Sequence, residues 1–269
     1  MTNTFHYASD LHIEFELPRA ENVTGDNLIL AGDICTLLHL NPIMNDAVSR
    51  KKRDRFNLFF DHARQNFKRI FYVTGNHESY NFDIASEAGY IAKYLPDVIH
   101  LNNSAYEIDE NTVILGGTLW TDMNRNNPVD HMAVSNGMND FRLIYNSENP
   151  SNMFSTHDAY DKHLDTLSFL ATSLDEYKNR KCIVVTHHAP SRQGINPDHS
   201  GHGEINAGYY SDLDEFILDR PQIHTWIHGH THIQKSYKIG ETNVRSNARG
   251  YQGYEDCART FTFNKWFEV

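Results

Sequence analysis

Short apolar runs that end in chemically reactive residues recur along the chain. Phe5 to Ala8 precedes Asp10, Leu28 to Ala31 precedes Asp33, Ile70 to Val73 precedes Asn76, Cys182 to Val185 precedes His187, and Ile223 to Ile227 precedes His230. Runs this short, bounded by turn residues, read as buried strands. Open α/β sheets place ligands beyond the carboxyl ends of such strands. Gly32, Gly75 and Gly229 fall where the chain leaves a strand, a position that calls for φ > 0 or a close backbone approach. Further strands are expected over 111–120, Gln234 to Ile239, Thr242 to Ser246 and Arg259 to Phe263, with Gly240 turning the chain between the second and third of these.

Helical periodicity is clearest over Asp158 to Lys178, where Leu164, Leu167, Leu170, Leu174 and Tyr177 recur at three- and four-residue spacing. Ser155-x-x-Asp158 can cap its start. Another helix is expected over Asn45 to Phe67, and shorter ones over Ile84 to Tyr94 and Ser211 to Leu218. Segments 122–156 and 190–210 are polar and poor in periodicity, so they are expected as long loops that wall a cleft. Periodicity alone thus predicts a mixed α/β chain.

The chain has 269 residues, 39% of them hydrophobic, enough for a sizeable core. No Pro/Gly/Ser-rich linker divides it, and the reactive residues span 10 to 232, so residues 1–269 are expected to form a single domain. Its 24 Lys and Arg against 35 Asp and Glu give a net charge of −11, which argues against sustained binding to duplex nucleic acid. The basic run Arg50-Lys51-Lys52-Arg53, with Arg55, reads as a solvated helix face rather than a nucleic-acid contact. Cys35, Cys182 and Cys257 have no paired spacing, and no secretory leader is evident, so a reduced, cytoplasmic protein is expected. No apolar stretch approaches the roughly 20 residues that span a bilayer. Cys35 reads as a small buried hydrophobe rather than a thiolate ligand. Oligomeric state is not written in these features.

Five short fragments carry the candidate chemistry: Asp10-Leu11-His12, Gly32-Asp33, Gly75-Asn76-His77-Glu78, His187-His188 and Gly229-His230-Thr231-His232. Together they offer enough oxygen and nitrogen ligands for two divalent cations, which need a shared carboxylate between them and imidazoles on either side. In Asp10-x-His12 and His230-x-His232, strand alternation would aim both side chains of a pair to one side. A purely structural protein would need all five fragments to arise by coincidence in this order.

The ordered set Asp-x-His, Gly-Asp, Gly-Asn-His-Glu, His-His-Ala-Pro and Gly-His-Thr-His resembles the calcineurin-like metallophosphoesterase superfamily. Residues 117–122, Met138-Asn139-Asp140-Phe141 and Ser246-Asn247-Ala248-Arg249-Gly250-Tyr251 are similar to a bacterial and phage-type subgroup, although that subgroup more often has Pro at the place of Ala248. The resemblance implies a four-layer α/β/β/α sandwich with two facing mixed sheets. It implies a two-metal hydrolase of small phosphodiesters or phosphomonoesters such as nucleotides, with a metal-bridging hydroxide attacking phosphorus in line.

By the same resemblance, one metal takes Asp10, His12, Asp33 and His232, and the other takes Asp33, Asn76, His187 and His230. Asp33 is then the bridge. His77 is implied as the general acid, with Asp10 or Glu78 orienting its imidazole. His188 either touches substrate or packs beneath the site, and His228 reads as a core or supporting histidine. Arg249 and Arg192 are candidates for holding phosphate oxygens, whereas Trp120, Asp122, Asn139, Asp140 and Phe141 are given no catalytic part. Mixed Asp, Asn and His ligation accommodates Mn, Fe, Zn, Co or Ni. Gly32-Asp33-Ile34-Cys35-Thr36-Leu37 lacks the further acid and arginine of protein Ser/Thr phosphatases, which argues against that activity. Two other readings stand beside the esterase: a nuclease acting on short or single-stranded nucleic acid, and a non-catalytic metal-binding module.

Overall fold

The computed structural model describes residues 2–149, 151–196, 201 and 203–269. The strands are β1 (Thr4–Ala8), β2 (Gly25–Ala31), β3 (Phe67–Val73), β4 (Ile99–His100), β5 (Ser104–Glu107), β6 (Thr112–Gly116), β7 (Lys181–Val185), β8 (Ile223–His228), β9 (Gln234–Ile239), β10 (Thr242–Asn247) and β11 (Trp266–Glu268). The helices are α1 (Ala47–Asn66), α2 (Glu87–Tyr94), α3 (Met123–Asn126), α4 (Pro128–Gly137), α5 (Asp140–Leu143), α6 (Thr156–Glu176), α7 (Asp214–Leu218) and α8 (Cys257–Thr260).

One sheet runs β11-β1-β2-β3-β4 and the other β5-β6-β7-β8-β10-β9. Their central strands are parallel, while β11, β5 and β9 pair antiparallel at or beside the edges. Side chains alternate across each strand, and the apolar runs therefore feed two faces at once. Phe5, Tyr7, Ile29, Ala31, Phe71 and Val73 of the first sheet meet Ile114, Ile183, Val185 and Ile227 of the second in the layer between them. On the outer face of the first sheet, Leu28, Leu30, Ile70 and Tyr72 pack on Phe56, Phe59, Phe60 and Ala63 of α1. On the outer face of the second, Val113, Leu115, Val184 and Trp226 pack on Leu170 and Leu174 of α6. This is the four-layer sandwich with two facing mixed sheets.

Both long helices begin as their sequences dictate. Asp46 accepts hydrogen bonds from the Val48 and Ser49 amides at the start of α1, and Ser155 and Asp158 form a reciprocal capping box at α6. The basic run on α1 is tied to neighbouring loops: Arg53 Nη1 donates to the carbonyls of Asn41 and Met44, and Arg55 Nη1 to those of Glu14 and Phe15. No helix among the described residues is long and apolar enough to cross a membrane.

Three expectations need correction. The strand over Arg259 to Phe263 does not form. Phe261 and Phe263 pack against the α1 cluster, and the local backbone is held by side chains, with the Phe263 amide donating to Glu21 and the Thr262 carbonyl accepting from Asn247. The strand over 111–120 ends at Gly116, because Leu119 and Trp120 adopt φ of 74° and 52°. Segment 122–156 is not one long loop but holds α4 and α5, preceded by the short α3, whose four residues turn left-handed with φ of 47–60°. Asn127 caps α4 with Pro128 in the first helical position, a start signal that outweighs its weak apolar periodicity. Within 190–210, short 3₁₀ turns cover Arg192–Gly194 and Gly203–Gly208. Residues 150, 197–200 and 202 of these two segments lie outside the described residues.

Candidate metal centre

Loops from both sheets converge at the carboxyl ends of five strands. Asp10 and His12 follow β1, Asp33 follows β2, Asn76 follows β3, His187 follows β7, and His230 and His232 follow β8. Asp33 stands between two groups of ligand atoms. Its Oδ2 lies 3.9 Å from His12 Nε2, and its Oδ1 lies 3.4 Å from His187 Nε2. His232 Nε2 is 3.1 Å from His12 Nε2 and 3.5 Å from Asp10 Oδ1. His187 Nε2 is 3.0 Å from the side-chain carbonyl oxygen of Asn76.

The backbone that achieves this differs from the expected strand alternation. Asp10, His12, Asp33, His230 and His232 all lie past the strand ends with φ between 46° and 66°. Such left-handed residues cost on the order of 1–3 kcal/mol each and persist where surroundings over-determine them. Here the surroundings are the crossing hydrogen bonds of the loops. The Asp10 amide donates to the Gly32 carbonyl, the His12 amide to the Asp33 carbonyl, and the His230 amide to Asp10 Oδ1. Close approach explains two glycines: a Cβ at Gly32 (φ 86°) would collide with the His187 ring, and one at Gly75 with the Asp33 carboxylate.

Glu78 does not orient His77. Its carboxylate is buried and accepts from the amides of Asp33 (3.0 Å), Ile34 (2.7 Å), Cys35 (3.3 Å) and Gly75 (2.7 Å) and from the Tyr72 hydroxyl (2.5 Å). It therefore locks the loop after β2 to the loop after β3. Asp10 does not orient His77 either, since the His77 Nδ1 partner is Glu14 Oε1 at 3.2 Å. The same oxygen lies 3.4 Å from His12 Nδ1. On its other side, His77 Nε2 is 3.1 Å from the Tyr251 hydroxyl.

The donor set fits metal ions. Three groups bring their ligand atoms within 4.8 Å of one another: Asp10, His12, Asp33 and His232; Asp33, His187 and His230; and His12, Glu14 and His77. Asp10 Oδ2 is buried with no hydrogen-bond partner among the described residues, a costly state for a carboxylate that a cation would relieve. A family model described as calcineurin-like phosphoesterase matches residues 5–234. The chain belongs to this family.

This calcineurin-like phosphoesterase is 29% identical over 266 residues to an uncharacterized protein of Acanthamoeba polyphaga mimivirus, covering 91% of the chain and 90% of that relative. Its fold is similar to the crystal structure of phosphopantetheinyl hydrolase from Mycobacterium tuberculosis, with a TM-score of 0.68, 17% identity, and coverage of 100% of this chain and 96% of that one. The phosphoesterase is accordingly a phosphoric ester hydrolase.

Charge and burial oppose each other at the site. Burial alone would raise Asp33, but the His187 and His77 imidazoles outweigh it and hold the carboxyl well below its usual range. Burial would lower His77, yet Asp33 and Glu14 carry it up to about 9. Burial would likewise raise Glu14, and its hydrogen bonds to His12 and His77 bring it down to about 2.

A pocket of about 220 Å³ opens on the centre, lined by Asp33, Asn76, His77, His230 and His232 and walled by Tyr80, Met138, Asn139, Asp140, Tyr209, Tyr251 and Glu255. The 122–156 segment thus contributes Met138 to Asp140 to the wall, and 190–210 contributes Tyr209. The other candidates lie elsewhere. Arg249 is buried, and its Nη1 donates to the carbonyls of Leu11 and Glu16, bracing the loop that carries Asp10 and His12. Arg192 is exposed in its 3₁₀ turn and does not line the pocket. His188 is buried against Trp120 and His230, with Nδ1 3.2 Å from the Thr118 carbonyl oxygen, so it packs beneath the site. His228 is buried on β8 with Nδ1 3.0 Å from the Gly229 carbonyl oxygen.

The sequence assigns no role to four residues that support the site, although Asp140 and Tyr251 fall in the segments similar to the subgroup. Glu14 extends the Asp10-x-His12 spacing by one more step, a signal that was there to read. Asp140 receives the Asn76 side-chain amide at 2.6 Å, and Glu255 Oε2 lies 2.7 Å from His232 Nδ1. Neither these two nor Tyr251 carried a spacing signal that linked them to the ligands.

Proposed function

We propose that this phosphoesterase hydrolyses phosphate esters of small molecules, phosphodiesters or phosphomonoesters such as nucleotides, with two divalent metal ions and His77 as proton donor. The observation that carries this reading is the placement of Asp33 between two ligand groups, with His77 beside it at the pocket floor. One ion would be held by Asp10, His12, Asp33 and His232, the other by Asp33, Asn76, His187 and His230. Metal identity among Mn, Fe, Zn, Co and Ni follows availability as much as affinity. When bound, such a pair lowers the pKa of water and neutralises charge on the phosphoryl group.

The chain's own residues supply the rest. Glu14 fixes the His77 ring through Nδ1, which leaves Nε2 toward the pocket and the Tyr251 hydroxyl. As the oxygen of water bonds to phosphorus and releases one proton to solvent, the bond to the leaving oxygen breaks and the His77 Nε2 proton passes to that oxygen. Glu255 and Asp140 hold His232 and Asn76 in orientation. The nuclease reading is weakened at α1, where Arg53 and Arg55 of the basic stretch are engaged with loop carbonyls. Free Cys35, Cys182 and Cys257 suit a reducing cytoplasm.

The test is hydrolysis of a chromogenic phosphomonoester and phosphodiester by metal-stripped protein reloaded with Mn²⁺, beside His77→Ala. Metal-dependent cleavage of either ester, weakened in the variant, is the expected result. Two bound metals without cleavage of either would put the non-catalytic binding module ahead.

A further inference from the structure

We propose that the pocket selects esters whose group beyond the reacting phosphate is uncharged or cationic and discriminates against a second anionic group. This deepens the phosphoester-hydrolase reading and rests on it.

None of the described residues that line the pocket is Lys or Arg, and the seven residues outside the description (1, 150, 197–200 and 202) contain neither type in the sequence. Sites that grip additional phosphates or carboxylates do so with guanidinium forks or ammonium groups. The arginines close in sequence to the pocket walls are directed elsewhere. Arg142 Nη2 donates to the Asn136 carbonyl at 2.6 Å, and Arg249 Nη1 donates to Leu11 and Glu16.

The walls carry the opposite charge. Asp140 and Glu255 both line the pocket, and Glu255 keeps part of its side chain exposed while Oε2 holds His232 and the Tyr251 amide. Five carboxyl groups, Asp10, Glu14, Asp33, Asp140 and Glu255, lie around the ligands, so two divalent cations and a protonated His77 would be largely balanced by the chain itself. A second anion on the substrate would find no surplus positive charge to meet it.

What the walls offer instead is organic surface. The Tyr80 ring stacks on His77 with centroids 4.1 Å apart, and its hydroxyl is already donated to Asp140. Tyr209 lies with its ring 5.1 Å from that of His230, and Met138 completes the wall. Aromatic faces beside carboxylates suit a neutral or cationic substituent.

A matched series of diesters tests this: the p-nitrophenyl phosphates of ethanol, 2-aminoethanol and 3-hydroxypropanoate, which differ in the charge of one small group. The expected kcat/KM for the ethyl and aminoethyl esters exceeds that of the carboxylate ester by about tenfold or more. Asn139→Lys adds a cation at an exposed wall position whose side chain has no hydrogen bond among the described residues, and is expected to narrow the gap several-fold. Calorimetry on the metal-loaded protein with unreactive ethyl methylphosphonate and 2-carboxyethyl methylphosphonate reads the same preference without turnover. Equal or tighter binding of the carboxylate probe, or equal turnover of the carboxylate ester, overturns the proposal while leaving the hydrolase reading intact. If none of the three esters is cleaved, the diester activity fails and the calorimetric ranking alone decides the charge preference.

Discussion

The Asp140 carboxylate accepts a 2.6 Å hydrogen bond from Asn76 Nδ2, and this turns the Asn76 carbonyl oxygen to within 3.0 Å of His187 Nε2. A carboxylate can only accept, so it fixes which end of the amide faces the candidate ligands. Asp140→Ala removes that constraint and is expected to weaken metal binding at the Asn76 and His187 site by roughly 10- to 100-fold. Titration of metal-stripped protein with Mn²⁺, followed by paramagnetic resonance, checks it: one of two sites should weaken and the other hold. Unchanged affinity at both would show that the amide needs no partner to face inward.

Glu78 is a buried carboxylate surrounded by four backbone amides and one hydroxyl, and it spans the loops that present Asp33 and Asn76. Glu78→Gln keeps the shape but turns an amide NH₂ toward donors. The expected cost is on the order of 3 kcal/mol, since buried donors that met a carboxyl oxygen would then face an NH₂ group. Urea unfolding of the metal-free variant measures it separately from any effect on metal. A loss below about 0.5 kcal/mol, the range of ordinary surface substitutions, would remove Glu78 from this locking role.

Legibility followed the range of the forces involved. The apolar runs ending at Ala8, Ala31, Val73 and Val185 were readable because burial on both faces leaves no polar alternation, and each became a central strand. β11 and β5 were not, because three or four residues carry too little pattern, and their pairing partners lie far away in sequence. The ligands were readable as ordered motifs, yet the reason for their convergence was not. Asp10 and His12 meet through left-handed backbone past the strand end rather than through pleat alternation. Asp140, Glu255 and Tyr251 act on residues 64, 23 and 174 positions away, and such contacts exist only once both sheets have closed.

Glu14 Oε1 sits 3.2 Å from His77 Nδ1 and makes His77 a fixed donor through Nε2. If His77 protonates the leaving oxygen, its loss must matter most where that oxygen is a poor leaving group. His77→Ala is expected to lower kcat/KM by roughly 10²–10⁴-fold for an alkyl ester and by much less for a p-nitrophenyl ester, with Glu14→Gln intermediate on the alkyl ester. Kinetics on the two esters check this. Equal losses on both would assign His77 to binding or support rather than proton transfer.

Glu87 is buried, with Oε1 accepting from Ser79 Oγ at 2.5 Å and Oε2 from Thr74 Oγ1 at 3.1 Å. Burial pushes its carboxyl up to about 7, against the pull of those two hydrogen bonds and of Lys162. The folded protein thus binds a proton that the unfolded chain releases near pH 4.5. The contribution of the neutral acid is fully present below pH 4.5 and is lost as the pH rises to about 7, above which the loss is constant. Across that window the group alone lowers stability by about 3 kcal/mol. Glu87→Gln preserves an uncharged polar group of the same size, so it is expected to flatten the descending limb and to leave the variant more stable than the parent above pH 7. Urea midpoints at pH 5, 6, 7 and 8 on metal-free protein read both effects. Parallel profiles for parent and variant would show that Glu87 is ionised throughout, and its burial would then have to be matched by the Lys162 charge.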